Sequence, residues 1–324
     1  MMPAREEIKL AFNKPLEDLL SKAWSIRKEF HPQEIKFYAP GTKHYETANF
    51  KNDPWSFVAV SITGEKCTLK CDHCRGNLLK TMHHVNSTEE LVSLGNRLLK
   101  YRSNGVLISG GADLNGEVPL LDYEEGISYL KKLGLKVIVH TGLMSIETAS
   151  MLKRCGVDQV LVDIIGHKDT INKVYHLNRT SEDFERTLSI SEEYGLNIAP
   201  HMVIGLDYGS IVGEIESIYM LSKFKVQTIV LVVLVPLKNT PMAGIKGPEL
   251  VDAAKVIALA RIYNPQSKLL LGCARPPGKM KALLEDYAIK AGVNGIAYPS
   301  DEAVKMCNEL GFPNSFSSQC CSIP

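Results

Sequence analysis

The chain has 324 residues, enough for one large domain or two ordinary ones, with 45% hydrophobic residues, 23% charged residues and a net charge of +1. This is the make-up of a soluble globular protein. Near-neutral charge gives no reason to expect nucleic acid as a partner, and no run of about 18 apolar residues marks a membrane span. The opening MMPAREEIKLAF lacks the charged-then-apolar order of a signal peptide, so a cytoplasmic protein is expected. Eight cysteines in a reducing compartment then point to metal binding rather than disulfides.

In chain order, residues 1–55 read as an N-terminal extension packing on the main body of the fold. Leu16 to Phe30 carries apolar residues at near-helical spacing behind Pro15, which suits a first helical turn. The next stretch, EIKFYAPGTKHYETANF, is rich in aromatics and turn residues and reads as a packed cover over one end of the fold, with His44 and Tyr45 as weaker site candidates. Phe57 to Ile62 (FVAVSI) reads as a buried strand. Directly after it comes CTLKCDHC, with Cys67, Cys71 and Cys74 at the spacing Cys-x-x-x-Cys-x-x-Cys. Ferredoxin-type clusters use four cysteines. A loop offering three thiolates to one iron–sulfur cube leaves one iron open for an outside ligand. Zinc is the rival reading, but zinc takes four ligands, commonly in paired Cys-x-x-Cys units, and the chain has no second such unit.

From residue 56 a rhythm of apolar strands and amphipathic helices sets in. Strands are expected at 105–109, 136–139, 159–163, 198–204, 228–235, 268–271 and 295–297, with helices between them and a last helix over 301–310. Eight strand–helix units in series predict an α/β fold, a (βα)8 TIM-type barrel, complete or nearly so, over residues 56–310. Residues 311–324 are left as a C-terminal tail. Chemistry in such barrels sits on the loops after the strands, and that filter selects the candidates. The second strand ends in Ser109, Gly110, Gly111, Ala112 and Asp113, where paired glycines leave backbone groups open to a close ligand. The third ends at His140 and the fourth at Asp163. Cys273 follows the seventh, two positions before Arg275. Cys320 and Cys321 are adjacent in the tail, Cys307 lies on the last helix, and Cys155 reads as a small buried residue.

CTLKCDHC after a first strand resembles the cluster loop of the radical S-adenosylmethionine (SAM) enzymes. The resemblance implies a 4Fe–4S cluster whose open iron is chelated by SAM. It further implies an electron that cleaves SAM to methionine and a 5′-deoxyadenosyl radical, which abstracts hydrogen from an unactivated carbon. It places His73 along the adenine and assigns Ser109, Gly110, Gly111 and the displaced carboxylate Asp113 to the methionine amino group. His140, Asp163 and Arg275 are then candidates for the SAM ribose or the substrate. The segment NRTSEDFERTL is similar to the helix of biotin synthase that carries an arginine for the SAM carboxylate, which matches Arg179. HMVIGLDYG resembles the Gly-x-x-Gly-Leu-Gly-Glu-Thr stretch of the same enzymes at Gly205 and Leu206, with Asp207 replacing a glycine. Arg275 lies near where biotin synthase uses an arginine to ligate its sulfur-donating cluster.

Cys273, Cys320 and Cys321, with Cys307 as a weaker member, are therefore expected to hold a second 4Fe–4S cluster. The chain looks most like the biotin-synthase-like proteins that form a two-protein lipoyl synthase. That resemblance implies sulfur insertion into an octanoyl chain on a lipoyl domain or glycine-cleavage H protein, a second radical SAM subunit, and an electron donor such as ferredoxin. Two other readings stay open: a radical SAM mutase or cofactor-assembly enzyme acting on a small molecule without a sulfur donor, and a non-catalytic iron–sulfur partner subunit.

Overall fold

Runs such as Val106-Leu107-Ile108 and Ile229-Val230-Leu231 are apolar on both faces, which commits them to a sheet covered on both sides. The computed structural model describes residues 3–323. Two helices, α1 (Arg5–Phe12) and α2 (Leu16–Phe30), lead into β1 (Ile35–Tyr38). Strand β2 (Phe57–Ser61) precedes the cysteine loop and the short β3 (His83–His84) comes after it. The chain then alternates through α3 (Thr88–Lys100), β4 (Gly105–Ser109), α4 (Glu124–Lys132), β5 (Lys136–His140), α5 (Ile146–Cys155) and β6 (Gln159–Asp163). Next come α6 (Lys168–Tyr175), α7 (Ser181–Glu193), β7 (Ile198–Ile204), α8 (Glu214–Ser222), β8 (Thr228–Val233) and α9 (Leu250–Tyr263). The series ends with β9 (Lys268–Leu271), α10 (Lys279–Lys290), β10 (Gly295–Ala297), α11 (Asp301–Glu309) and β11 (Asn314–Ser317).

All eight expected strands are present and pair in parallel in chain order from β2 to β10. The sheet curls into a partial (βα) barrel. Phe57, Ile138, Leu161 and Ala199, from four different strands, meet in one interior cluster. It does not close on itself: the order runs β11-β1-β10-β9-β8-β7-β6-β5-β4-β2-β3, so β3 and β11 are edges. Among the described residues, no helix is long and apolar enough to cross a membrane.

Both ends of the chain do more than the sequence reading assigned to them. Strand β1 enters the sheet, taking its place between β10 and β11, while α1 and α2 pack on α8 and α9. In the turn-rich cover, the Phe50 ring stacks on Phe316 with centroids 4.8 Å apart, and the Tyr45 hydroxyl donates to the Pro299 carbonyl at 3.0 Å. His44 stays at the surface, 3.7 Å from Glu46. After β11 the tail turns inward. Cys321 packs among Tyr38, Val230, Leu270, Ala297 and Tyr298, and Ile323 joins the cluster of Phe57, Ile138, Leu161 and Ala199.

Candidate active site

The cysteine loop is built by stitching rather than by regular structure. Thr63 accepts from the Gly111 amide at 2.7 Å and donates to the Lys66 carbonyl at 2.8 Å, and the Thr68 amide donates to the Ala112 carbonyl at 3.0 Å. Gly111 lies so close that a Cβ there would stand 2.0 Å from the Lys66 oxygen and 2.4 Å from Cys67 Cα. On the other flank, the Asp72 amide donates to the Val174 carbonyl at 2.8 Å. The Asp72 carboxylate accepts from the Tyr208 hydroxyl at 2.6 Å and lies 3.1 Å from His176 Nε2. Lys70, Arg75, His176 and Tyr208 all hold left-handed backbone conformations around it, at φ 49°, 52°, 57° and 50°.

Cys67, Cys71, His73 and Cys74 line a cavity of ≈ 360 Å³ together with Ser109, Gly110 and Gly111. The Cys71 thiol bonds to the Cys74 sulfur and holds it well below the ordinary thiol range, against the opposing effect of burial. Burial alone would lower the His73 pKa, but the bond to Cys74 and its charge outweigh burial and raise it. His73 Nδ1 is buried without a hydrogen-bond partner, an orphan that a bound polar group would satisfy. Among the described residues, no three His, Cys, Asp or Glu side chains converge as the ligands of one metal ion do. A cube of iron and sulfide holds its thiolates farther apart than a single ion. Three sulfurs lining one cavity, one of them held as thiolate, and the orphaned imidazole nitrogen of a residue in the same lining fit a cluster with SAM on its open iron.

Other predicted residues fall on both sides of the cavity wall. His140 and Asp163 line it: His140 Nε2 is 3.5 Å from Asp163 Oδ1, and the Tyr175 hydroxyl donates to Asp163 Oδ2 at 2.9 Å. Burial would raise the Asp163 pKa, yet His140 outweighs it and keeps the carboxylate ionised well below the usual range. Asp113 is occupied in its own turn, accepting from the Asn115 amide at 2.8 Å and the Glu117 amide at 3.0 Å. Arg179 donates to Asn115 Oδ1 at 3.2 Å and lines a separate surface hollow with Glu117 and Arg186. Gly205 gives its amide to the buried Glu214 carboxylate at 2.7 Å, and Leu206 is a core residue; neither lines the cavity.

The cysteines beyond the loop divide in the same way. Cys273 is exposed at the strand end; the protein atoms crowded round its thiol and then the charge of Cys320 push it up, and Cys321 feels the charges of Cys320 and Cys273. These three therefore share one neighbourhood. The Cys320 thiol, bonded to Cys321, is drawn down to about 7. Cys307 is corrected out of the set. It is fully buried in the core cluster between the outer helices and the sheet, where Glu285 is the charge it feels. Arg275, a candidate for the SAM ribose, the substrate or a cluster, is likewise corrected to a structural residue. Buried beside the fully buried Glu285, it pairs with that carboxylate and donates to the carbonyls of Gly272, Ala297 and Tyr298 at 2.7, 2.6 and 2.7 Å.

Sequence reasoning missed His201. It sits beside Asp163 across the β6–β7 register, and its Nδ1 bonds to the Ala199 carbonyl at 2.9 Å, leaving Nε2 free. Burial, reinforced by His140, draws its pKa down to about 4, so the ring is neutral. The signal was available, because Ala199, His201 and Val203 alternate inward along one strand. Tyr175 and the Asp72–Tyr208 bond had no such signal: Tyr175 reaches Asp163 from the following helix, and Asp72 and Tyr208 stand 136 positions apart.

Residues 61–213 match the family model of the radical SAM superfamily. The chain is 27% identical over 296 residues to biotin synthase of Neorickettsia sennetsu, covering 86% of this chain and 87% of that one. It is 26% identical over 300 residues to biotin synthase of Buchnera aphidicola, covering 90% and 81%. Among solved structures it resembles methylornithine synthase (PylB), with a TM-score of 0.66 at 14% identity over 97% of this chain and 95% of that one. It also resembles the FeFe-hydrogenase maturase HydG of Carboxydothermus hydrogenoformans, with a TM-score of 0.67 at 15% identity over 98% and 76%. At that identity the structural likeness establishes the fold.

The packing sets two expectations. Gly111→Ala must displace the backbone at Cys67, so iron bound after anaerobic reconstitution should drop several-fold while far-ultraviolet circular dichroism stays native. Full iron loading would show that the contact is dispensable. Arg275→Ala removes the buried cation that Glu285 pairs with, leaving it the Ser300 amide and hydroxyl and Lys281 at 4.0 Å, and should lower the unfolding free energy by roughly 3 kcal/mol, read from urea denaturation. Loss of iron with stability unchanged would instead make Arg275 a ligand.

Proposed function

We propose that this chain, a radical SAM enzyme of the biotin-synthase-like branch, inserts sulfur into an octanoyl chain borne on a lipoyl domain or glycine-cleavage H protein. It would act as one subunit of a two-protein lipoyl synthase, with a second radical SAM chain as partner and a ferredoxin-type protein as electron donor. One observation carries the reading. The cavity that begins at Cys67, Cys71 and Cys74 extends to Ala274, the neighbour of Cys273, and the inward-turned tail brings Cys320 and Cys321 close enough for their charges to act on that cysteine or to feel it.

Cys67, Cys71 and Cys74 would hold the cluster that binds SAM, and Cys273, Cys320 and Cys321 a second one. When bound, these groups supply one-electron cleavage of the sulfonium, hydrogen abstraction from an unactivated carbon, and sulfide. The chain's own residues supply the setting. His73 lies against the Tyr175 ring at 5.1 Å, and its buried Nδ1, without a protein partner, would be satisfied by a polar group of the ligand. Leu107, Val203, Val232, Leu237 and Ala274 wall the rest of the cavity with hydrocarbon. Such a lining favours an alkyl chain by about 0.8 kcal/mol for each methylene it buries.

The same lining argues against a small zwitterion. Besides the cysteines and His73, its ionisable groups are His140, Asp163 and Tyr175, and Asp163 already bonds to the other two. A free amino acid would find no unpaired charge to meet its own, and burying it so is costly.

Iron and acid-labile sulfide per chain, measured after anaerobic reconstitution, test the proposal. About eight irons in the wild type should fall to about four when Cys273, Cys320 and Cys321 are all replaced by alanine. The wild type, with SAM, a reductant and the partner subunit, should then add sulfur to an octanoyl-lysyl lipoyl-domain peptide. About four irons in both proteins would sink the sulfur-donor reading.

A further inference from the structure

We infer that the segment Cys320–Ile323 forms the floor of the substrate cavity and that Ile323 sets the length of apolar chain the cavity takes. The inference rests on the acyl-chain reading above. In a (βα)8 barrel the interior is filled by layers of side chains that the strands themselves contribute. Here the strands leave the lower layer incomplete. Phe57, Ile138, Leu161 and Ala199 supply one half, and Ile323 completes it from the tail. Tyr38, Val230, Leu270, Ala297 and Tyr298 supply the other half, and Cys321 completes that one. Ser322, between them, is fully buried.

This layer lies directly under the cavity. Leu107 packs against the Ile323 cluster and also lines the cavity. Across the barrel, Val232 packs against the Cys321 cluster and lines the cavity too. The strand side facing Ile323 includes Ala199, so the bulk there comes from the tail rather than from β7. The tail segment holds its shape by a turn of its own, with the Ile323 amide donating to the Cys320 carbonyl at 3.1 Å. It takes no part in the sheet's hydrogen bonds. A change of side chain at 323 therefore alters the depth of the cavity without breaking a ladder.

Shortening the side chain should admit more chain below, worth about fourfold in affinity for each methylene newly buried. The test uses the reconstituted, SAM-loaded full chain as wild type, Ile323→Ala and Ile323→Phe. Calorimetric affinities are measured for N-methyl amides of straight-chain acids from hexanoic to tetradecanoic. Crystals of the wild type and Ile323→Ala are also pressurised with xenon, which enters apolar voids. The expected result is a chain-length optimum that moves longer in Ile323→Ala and shorter in Ile323→Phe, with a xenon site at the vacated position that opens into the cavity. Amides that bind all three proteins with one unchanged optimum overturn the inference while leaving the acyl reading in place. Xenon at position 323 with no amide bound by any protein overturns the acyl reading, and the length role falls with it. A xenon void sealed from the cavity shows that Ile323 is not its floor.

Discussion

The sheet's failure to close is the constraint on which the rest of the structure depends. A parallel sheet that met itself would fill its own interior with strand side chains. This one stops at β3 on one side and continues on the other through β1 and β11, strands supplied by the two ends of the chain. Free sheet edges invite unwanted pairing, yet here the outer edge leads directly into the inward-turning tail. That turn delivers Cys320 and Cys321 to the neighbourhood of Cys273 and plugs the lower barrel with Ile323. A complete barrel would have had no space for these side chains.

A second constraint acts on the cysteine loop, which has no secondary structure to hold it. Each non-glycine residue in the left-handed region costs about 1–2 kcal/mol, and Lys70, Arg75, His176 and Tyr208 all sit there. Such strain persists only where surrounding bonds over-determine it. Asp72 meets that requirement: it is buried, bonded through its amide to α6 and through its carboxylate to Tyr208 and His176. The same bonds fix the loop before any ligand arrives, which is what a site with narrow geometric tolerance needs.

The sequence displayed the strands, their order and the cysteine loop because each is a local pattern: an apolar run, a turn residue, a fixed spacing. The strand-end filter found His140 and Asp163 for the same reason. It cannot tell an end residue that faces the cavity from one that closes its own turn, as Asp113 does with the Glu117 amide; nor does a motif resemblance tell that the Gly205 amide goes to Glu214. Arg275 shows the limit most sharply. Its guanidinium could serve a ligand or a buried carboxylate, and only the fold reveals Glu285 beneath it. The inward course of the tail was equally invisible, since Ser-Ser-Gln-Cys-Cys-Ser-Ile has no periodicity to read.

The character of the cavity bears on the kind of chemistry it suits. Reactions that develop charge are served by dipoles aimed at the reacting atoms. This cavity offers few: Asp163 has His140 and Tyr175 as partners, and His201, next to Asp163 but outside the lining, is neutral with its Nδ1 tied to a carbonyl. Transfer of a hydrogen atom moves a proton and an electron together and develops little charge, so its main demand on the protein is different. It needs a held substrate and the exclusion of water and other quenching groups. Leucine and valine walls, a plugged floor and a single polar corner at the ends of β5 and β6 provide those things and little else. The apolar lining thus suits the radical chemistry proposed for the cysteine loop, although part of it, Val203, Val232 and Leu237, is encoded more than a hundred residues from that loop.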